Sequence, residues 1–354
     1  MTRIGVIGIG FGQQVHVPAF RTDPRAEIVA ICASRKERAQ AVARKLGIAE
    51  AYGDWREMLA RPGLDAITLA VPPLLQPEMA VAAMQAGKAV FCEKPMAASL
   101  EGAKAMARAA QEAGLANLVD FEFPEIPQWS AAATILHRGQ LGRLRHIGIS
   151  WNLEIYAVRR GLESWKTSRA WGGGVLYGFV SHVFYYLERL VGRIERLCAR
   201  LYDVRGNLAQ GRDILAFIWL ELESGAPVSG VVSSQSFLGS GHRLEFYGEQ
   251  GSLILDNPTP DYARGFNLWH GDRRSGSLNP VDLTGPDDLG KGDGRVAMVA
   301  RLAARFLDWL ESGKPCQPTF KEGLRVQQLL DAALRSHLNG AWVEVHEEIT
   351  SLKD

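Results

Sequence analysis

Cysteine is scarce in this chain: Cys32, Cys92, Cys198 and Cys316 are the only four in 354 residues, and no two stand in a C-x-x-C spacing. That pattern excludes a disulfide framework and a cysteine-based zinc site, and it predicts free thiols in a reducing compartment. Net charge is nearly absent too. Forty Lys and Arg against 39 Asp and Glu leave +1, without the basic excess that a nucleic-acid or anionic-membrane partner calls for. No apolar run is long enough to span a bilayer. After Met1-Thr2-Arg3 the chain enters Ile4-Gly5-Val6-Ile7-Gly8 directly, leaving no room for an apolar leader. The expectation is a cytoplasmic protein. Internal repeats and low-complexity tracts are also lacking. With 47% hydrophobic and 22% charged residues, the composition is that of a folded globular chain long enough for two domains.

Two differently patterned parts are present. Through about Phe123, short β-branched runs (4–7, 28–33, 66–71, 89–92 and 116–121) alternate with helical stretches (36–46, 54–59, 76–86 and 99–113). Gly47, Gly87 and Gly114 follow three of these helices, and Asp54 and Ser99 stand at N-cap positions. Strands apolar throughout and alternating with helices imply a parallel sheet covered on both faces, a doubly wound nucleotide-binding domain over residues 1–123. From about Ile147 onward the strands (145–154, 194–202, 214–222, 228–237, 243–247 and 252–255) alternate polar and apolar residues. They predict an α+β domain over residues 124–354 with a large, mostly antiparallel open sheet. Helices over 175–190, 296–310 and 322–338 are expected to flank that sheet. Residues 257–294, rich in Gly, Pro and Asp, read as a long surface excursion.

The chemistry begins at the first turn. Gly8-Ile9-Gly10-Phe11-Gly12 follows a strand and opens a helix. Gly8 suits the tight turn and Gly10 lets backbone approach a pyrophosphate, whose charge the helix N–H groups then hold. Position 13 is Gln, so the third glycine falls one place early. The second strand ends Cys32-Ala33-Ser34-Arg35-Lys36, with Arg38 one turn on and no acidic residue for the ribose diol. A hydroxyl and a guanidinium suit a 2′-phosphate, which favours NADP over NAD. Glu93-Lys94-Pro95 ends the strand 89–92 at the carboxyl edge of the sheet, where such folds bind ligands, and Pro95 keeps Lys94 out of helix.

Taken together, Gly8-x-Gly10 with His16 downstream, Val71-Pro72-Pro73, Glu93-Lys94-Pro95, Gly172-Gly173-Gly174 before His182, and Pro318-Thr319-Phe320 resemble the glucose–fructose oxidoreductase / inositol dehydrogenase / MocA (Gfo/Idh/MocA) family. The ordered set spans nearly the whole chain. The resemblance implies an N-terminal Rossmann domain and a C-terminal open sheet that often makes a dimer or tetramer interface. It also implies NAD(P)-dependent oxidation of a secondary alcohol on a sugar, sugar derivative or cyclitol. Lys94 would contact nicotinamide ribose and the substrate hydroxyl, and His182 would be the acid/base residue at a domain cleft. Chemically, hydride leaves a carbinol carbon only as the hydroxyl proton departs, which suits His or a Lys shifted by burial. Val71, Pro72, Pro73, Gln76, Glu93 and Trp165 join the glycine turn as expected cofactor contacts; Gln76 stands where the family often has His. Glu122, Trp151, Lys166, Tyr177 and Tyr185 join Lys94 and His182 as expected substrate contacts.

One departure from the family pattern concerns Gly178, where an Asp usually stands one turn before the histidine. Glycine costs a helix about 1 kcal/mol against alanine, so close approach to its backbone is a reason for it, and Tyr177, Tyr185 or Tyr186 could supply a replacement hydroxyl. His16 reads as a helix-packing histidine. His137, His146, His242, His270, His337 and His346 have no metal-ligand spacing, and no metal is expected. Two further readings stay open: a non-catalytic dinucleotide-binding regulator, and an enzyme using bound cofactor for transient oxidation, as in epimerisation or glycosidic cleavage.

Overall fold

The computed structural model describes residues 1–203, 213–283 and 292–345; His346 lies outside the described residues. The chain folds as two compact units. The first comprises Met1–Ser130, Glu163–Gly173 and Leu283–Gln327, the second Ala131–Leu162, Gly174–Asp282 and Gln328–Asp354. No helix among the described residues is long and apolar enough to cross a membrane.

In the first unit six strands, β1 (Thr2–Ile7), β2 (Ala26–Cys32), β3 (Glu50–Tyr52), β4 (Ala66–Leu69), β5 (Ala89–Cys92) and β6 (Asn117–Val119), form an all-parallel sheet in the order β3-β2-β1-β4-β5-β6. Ile4, Val6, Ile31, Ile67, Phe91 and Leu118 are buried because helices cover both faces. The strand order reverses between β1 and β4, the switch point at whose carboxyl ends ligands bind. Asp54 and Ser99 cap their helices by accepting from Arg56 N and Gly102 N, at 2.9 and 3.1 Å, as their sequence positions predict.

The helix Gly294–Ser312 corrects one expectation. Rather than flanking the second sheet, it packs Val299, Leu302 and Phe306 into the first unit's core beside Ile4, Phe20 and Phe91. The rings of Phe20, Phe91 and Phe306 meet edge to face, with centroids 5.3 and 5.9 Å apart at the Phe91 contacts. Its periodicity fixed an apolar face, but nothing in it named the sheet that face would cover.

The second unit holds a nine-stranded sheet of β7 (Leu144–Asn152), β8 (Ile194–Tyr202), β9 (Leu215–Leu222), β10 (Pro227–Ser233), β11 (Gly241–Gly248), β12 (Gly251–Asn257), β13 (Asn267–Asp272), β14 (Asn279–Pro280) and β15 (Val343–Glu344). The order is β14-β13-β12-β11-β7-β10-β9-β8-β15, antiparallel except for the pair β7–β10. The stretch 257–294 is therefore not simply an excursion, since it contributes β13 and β14, and residues 284–291 of it lie outside the described residues. The run expected over 228–237 stops as a strand at Ser233. On β8 and β9, buried Leu197, Ala199, Leu201, Ala216, Ile218 and Leu220 alternate with Tyr202, Phe217 and Trp219 on the other face.

Because Phe306 is wholly buried at the centre of this ring cluster, Phe306→Ala should cost about 3–5 kcal/mol. Urea unfolding followed by circular dichroism checks this, with the exposed Lys45→Ala as the control that stays near wild type.

Candidate active site

At the end of β1, Gly8 has φ +108°, and a Cβ there would lie 2.2 Å from the carbonyl oxygen of Ala70. Only glycine fits that turn. Gly10 is the complement: a Cβ on it would meet nothing within 4 Å, so the turn exposes backbone to open space at the start of a helix. Phe11 sits under the guanidinium of Arg295, 5.3 Å from its ring centroid. Lys166 is drawn below the ordinary lysine range, first by partial burial and then by the nearby charges of Lys94 and Arg295. An open backbone cradle at a helix N-terminus is a donor set suited to a pyrophosphate, and Lys94, Lys166 and Arg295 are near enough to act on one another's charge. Ser34, Arg35 and Arg38 stand exposed past the end of β2.

Lys94 is held on both sides. The backbone N–H of Glu93 donates to Leu69 O at 2.9 Å, extending the β5 ladder towards β4. The amide of Gln76, fully buried, donates to Glu93 O at 3.1 Å and to Pro95 O at 2.8 Å, clasping the carbonyls that flank Lys94. The Lys94–Pro95 peptide is cis. Gln76 thus takes a structural part that its position in the sequence did not disclose. The glycine run packs here as well: a Cβ on Gly173 would lie 2.0 Å from Trp165 O, so the backbone of the Trp165–Lys166 turn closes directly on it.

Behind Lys94 lies a cluster the sequence reading did not anticipate. Nε2 of His16 is 3.0 Å from Glu93 Oε1 and 3.5 Å from Asp120 Oδ2, and the three ligand atoms lie within 4.8 Å of one another. His16 and Asp120 are essentially without solvent contact. Far from being a helix-packing residue alone, His16 is bonded between two carboxylates, with the rings of Phe11 and Phe91 edge-on to it. Burial alone would push His16 down, but the hydrogen bonds to Asp120 and Glu93 raise it to about 9. Burial and then the Glu93 charge push Asp120 well above the usual carboxylate range; for Glu93 the opposing burial is overcome by His16, which holds it low. Glu122, two residues past Asp120, is pushed up to about 7 by burial, against the pull of Lys94 and with the push of Glu93.

The second unit positions His182. The helix Ser181–Val191 is preceded by a π-helical turn, Leu176–Val180. Buried Asp213 starts it by accepting from Leu176 N at 2.8 Å, a cap 37 residues away along the chain that no local motif announces. His182 is buried, tilted against Trp151 with ring centroids 6.0 Å apart. Trp151 in turn stacks on His242 at 4.1 Å and 4°. Burial lowers His242 to about 3, and its neutral ring shares a hydrogen bond with the Tyr186 hydroxyl at Nε2, 3.0 Å away. Trp151, Tyr177 and Tyr185 are all buried in this unit, with Ser181 Oγ donating to Tyr177 O at 2.6 Å. A Cβ on Gly178 would meet nothing within 4 Å. The structure thus groups Lys94, Glu93, Glu122 and Lys166 in the first unit, and His182, Trp151, Tyr177 and Tyr185 in the second.

Two family profiles match the chain: an oxidoreductase family NAD-binding Rossmann fold over residues 2–121, and an oxidoreductase family C-terminal alpha/beta domain over residues 134–345. The chain is 33% identical to an uncharacterized oxidoreductase of Synechocystis sp., over 97% of this chain and 95% of that one. It is 25% identical to levoglucosan dehydrogenase of Pseudarthrobacter phenanthrenivorans, over 97% of each. A solved structure of levoglucosan dehydrogenase in complex with NADH and L-sorbose shares the fold at a TM-score of 0.86 and 23% identity, covering 98% of this chain and 99% of that one.

The buried cluster makes stability depend on pH. His16 binds its proton more tightly when folded, so its contribution is complete below about 6.5 and is lost as pH rises through about 9. At ~1.4 kcal/mol per tenfold change in proton affinity, that difference corresponds to on the order of 3 kcal/mol. Urea unfolding at pH 6.5 and 9.5 should show the wild type losing stability at least on that scale, since the raised carboxyls of Asp120 and Glu122 act in the same direction, and His16→Gln should reduce the loss.

Proposed function

The chain belongs to the Gfo/Idh/MocA oxidoreductase family, and on that premise we propose that it is an NADP-linked dehydrogenase that interconverts a secondary alcohol and a ketone on a sugar, sugar derivative or cyclitol. The observation that carries this reading is Lys94: a half-buried lysine at the carboxyl edge of a dinucleotide-binding sheet, with its flanking carbonyls clasped by Gln76. Levoglucosan dehydrogenase, a relative along the whole chain, acts by its name on an anhydrosugar, which supports a polyol-like substrate.

When bound, the nicotinamide takes up or delivers the hydride. The chain's own work is to bind, to orient and to move a proton. The Gly8–Gly12 turn offers helix N–H groups to the pyrophosphate, while Val71, Pro72 and Pro73 border the neighbouring strand end. Lys94 donates to the substrate oxygen and steadies its charge as the carbinol proton leaves. His182 is the acid/base partner that holds or returns that proton, and Glu122, pushed up to about 7, can exchange one near the working pH. Trp151, against the His182 ring, Tyr177 and Tyr185 serve with it as substrate contacts, and Trp165 and Lys166 border the nicotinamide end.

The lean towards NADP rests on Ser34, Arg35 and Arg38, exposed where an acidic residue would otherwise receive the ribose diol. Tyr202, Phe217 and Trp219 leave aromatic surface on one face of the nine-stranded sheet, with Phe217 and Trp219 stacked at 6.3 Å. This supports a homodimer or homotetramer built on that face.

Titration with NADPH and NADH, following nicotinamide fluorescence, tests the cofactor. NADPH should bind tighter by at least tenfold, and the Ser34→Asp/Arg35→Ala double variant should reverse the order; equal binding in the wild type would overturn the preference. Lys94→Ala should lower kcat on a responsive polyol by about 10²–10⁴-fold while the dinucleotide Kd stays within a few-fold. Full turnover in that variant would sink the assignment of Lys94.

A further inference from the structure

We propose that His16, locked between Glu93 and Asp120, is a positioning residue for Lys94 that acts through Glu93: it fixes the Glu93 carboxylate and balances its charge beside the lysine. The proposal rests on the reading of Lys94 as the residue that donates to the substrate oxygen.

The geometry gives the chain of connection. Glu93 is bound to the fold at its backbone N–H by Leu69 O and at its carbonyl by Gln76 Nε2. Its side chain is bound by His16 Nε2 at 3.0 Å. Every degree of freedom that could displace the residue before Lys94 is therefore taken up, and His16 supplies the only cation in direct contact with that carboxylate among the salt bridges of the described residues. The imidazole is brought there by the π-helical turn Gly12–His16, which follows the glycine turn. A π-turn at such a place commonly marks a functional constraint.

The protons fit one arrangement. His16 is raised to about 9 by its two carboxylates despite burial, Glu93 is held low, and Asp120 is driven up by burial and by Glu93. These directions favour a charged His16 paired with the Glu93 carboxylate and a neutral Asp120, an arrangement that limits net charge in a largely buried cluster where a lone carboxylate would be costly. Around it stand Cys92 and Lys94 from the end of β5, Glu122 from the end of β6, Lys166 from the Trp165–Thr167 turn and Arg295 from the helix Gly294–Ser312. The other ring nitrogen, His16 Nδ1, is buried with no hydrogen-bond partner, so Nε2 carries the ring's contacts to both carboxylates.

The test reads Lys94 directly, without substrate. Acetic anhydride acylates only unprotonated amines, so competitive labelling at pH 8, quantified by peptide mass spectrometry against exposed Lys36 and Lys45, reports the charge around Lys94. His16→Gln keeps a donor towards Glu93 but removes the positive charge, and it should slow Lys94 labelling at least threefold. Glu93→Gln removes the negative charge and should speed it at least threefold. A merely structural role would loosen the segment and speed both; movement in the same direction, or no movement in either, overturns the proposal. Wild-type protein labelled with ¹⁵N-histidine supplies an independent arm that needs no variant to fold. The His16 ring should stay doubly protonated at pH 8 and titrate near 9. A neutral ring at pH 7, or one equivalent of chelator-removable divalent metal in the purified protein, overturns it. Because neither arm uses turnover, a protein inactive on every polyol would count against the proposed function and leave this inference to be decided separately.

Discussion

Charge buried at the carboxyl edge of a parallel sheet is the constraint from which the first unit's site is organised. The ends of β5 and β6 place Asp120 out of water and Glu93, largely buried, beside it, where two carboxylates cannot both ionise at ordinary cost. His16 resolves this by bonding to both. With the Glu93 side chain settled, its backbone can serve as the anchor for Lys94, and Gln76 completes the hold by donating to the two carbonyls on either side of the lysine. The order of dependence runs from interior electrostatics to backbone placement to the setting of Lys94.

The second unit solves a comparable problem without ions. His182 stands on a layer in which Trp151 lies flat on His242 and the Tyr186 hydroxyl is hydrogen-bonded to the same ring. Burial keeps His242 neutral, so this support has no charge to be compensated. One unit therefore offers a lysine in a field shaped by carboxylates, and the other a histidine on an aromatic floor.

Much of this was legible in the sequence, and the reason is that local rules governed it. The apolar runs of β1, β2, β4 and β5, the caps at Asp54 and Ser99, and the glycine turn at Gly8–Gly12 follow from chain-local geometry, and the structure has them. What escaped depends on residues meeting from afar. The helix Gly294–Ser312 shows an apolar face but no address, and its core lies beside Phe20 and Phe91. Asp213 caps a helix 37 positions away, and Asp120 and His16 became a pair only when β6 and the first helix met Glu93. β13 and β14 hid in a segment whose Gly, Pro and Asp content masked their short alternation. The Asp-Phe-Glu run ending at Glu122 was the available hint, since it places two acids past the end of a buried strand.

The π-helical turns bear on how this chain can change its length. The turn Gly12–His16 and the turn Leu176–Val180 each wind wider than an α-helix, and they adjoin His16 and His182. Such a turn takes up an extra residue locally, so the helix beyond it keeps its facing. Deleting one residue there would draw the turn back to α-helical winding and fall on the residues inside it, His16 itself at the first turn and Gly178 ahead of His182 at the second. The same deletion further along either helix meets no such slack and would rotate everything after it by about 100° around the axis. These two places act like expansion joints, where a change of one residue stays local.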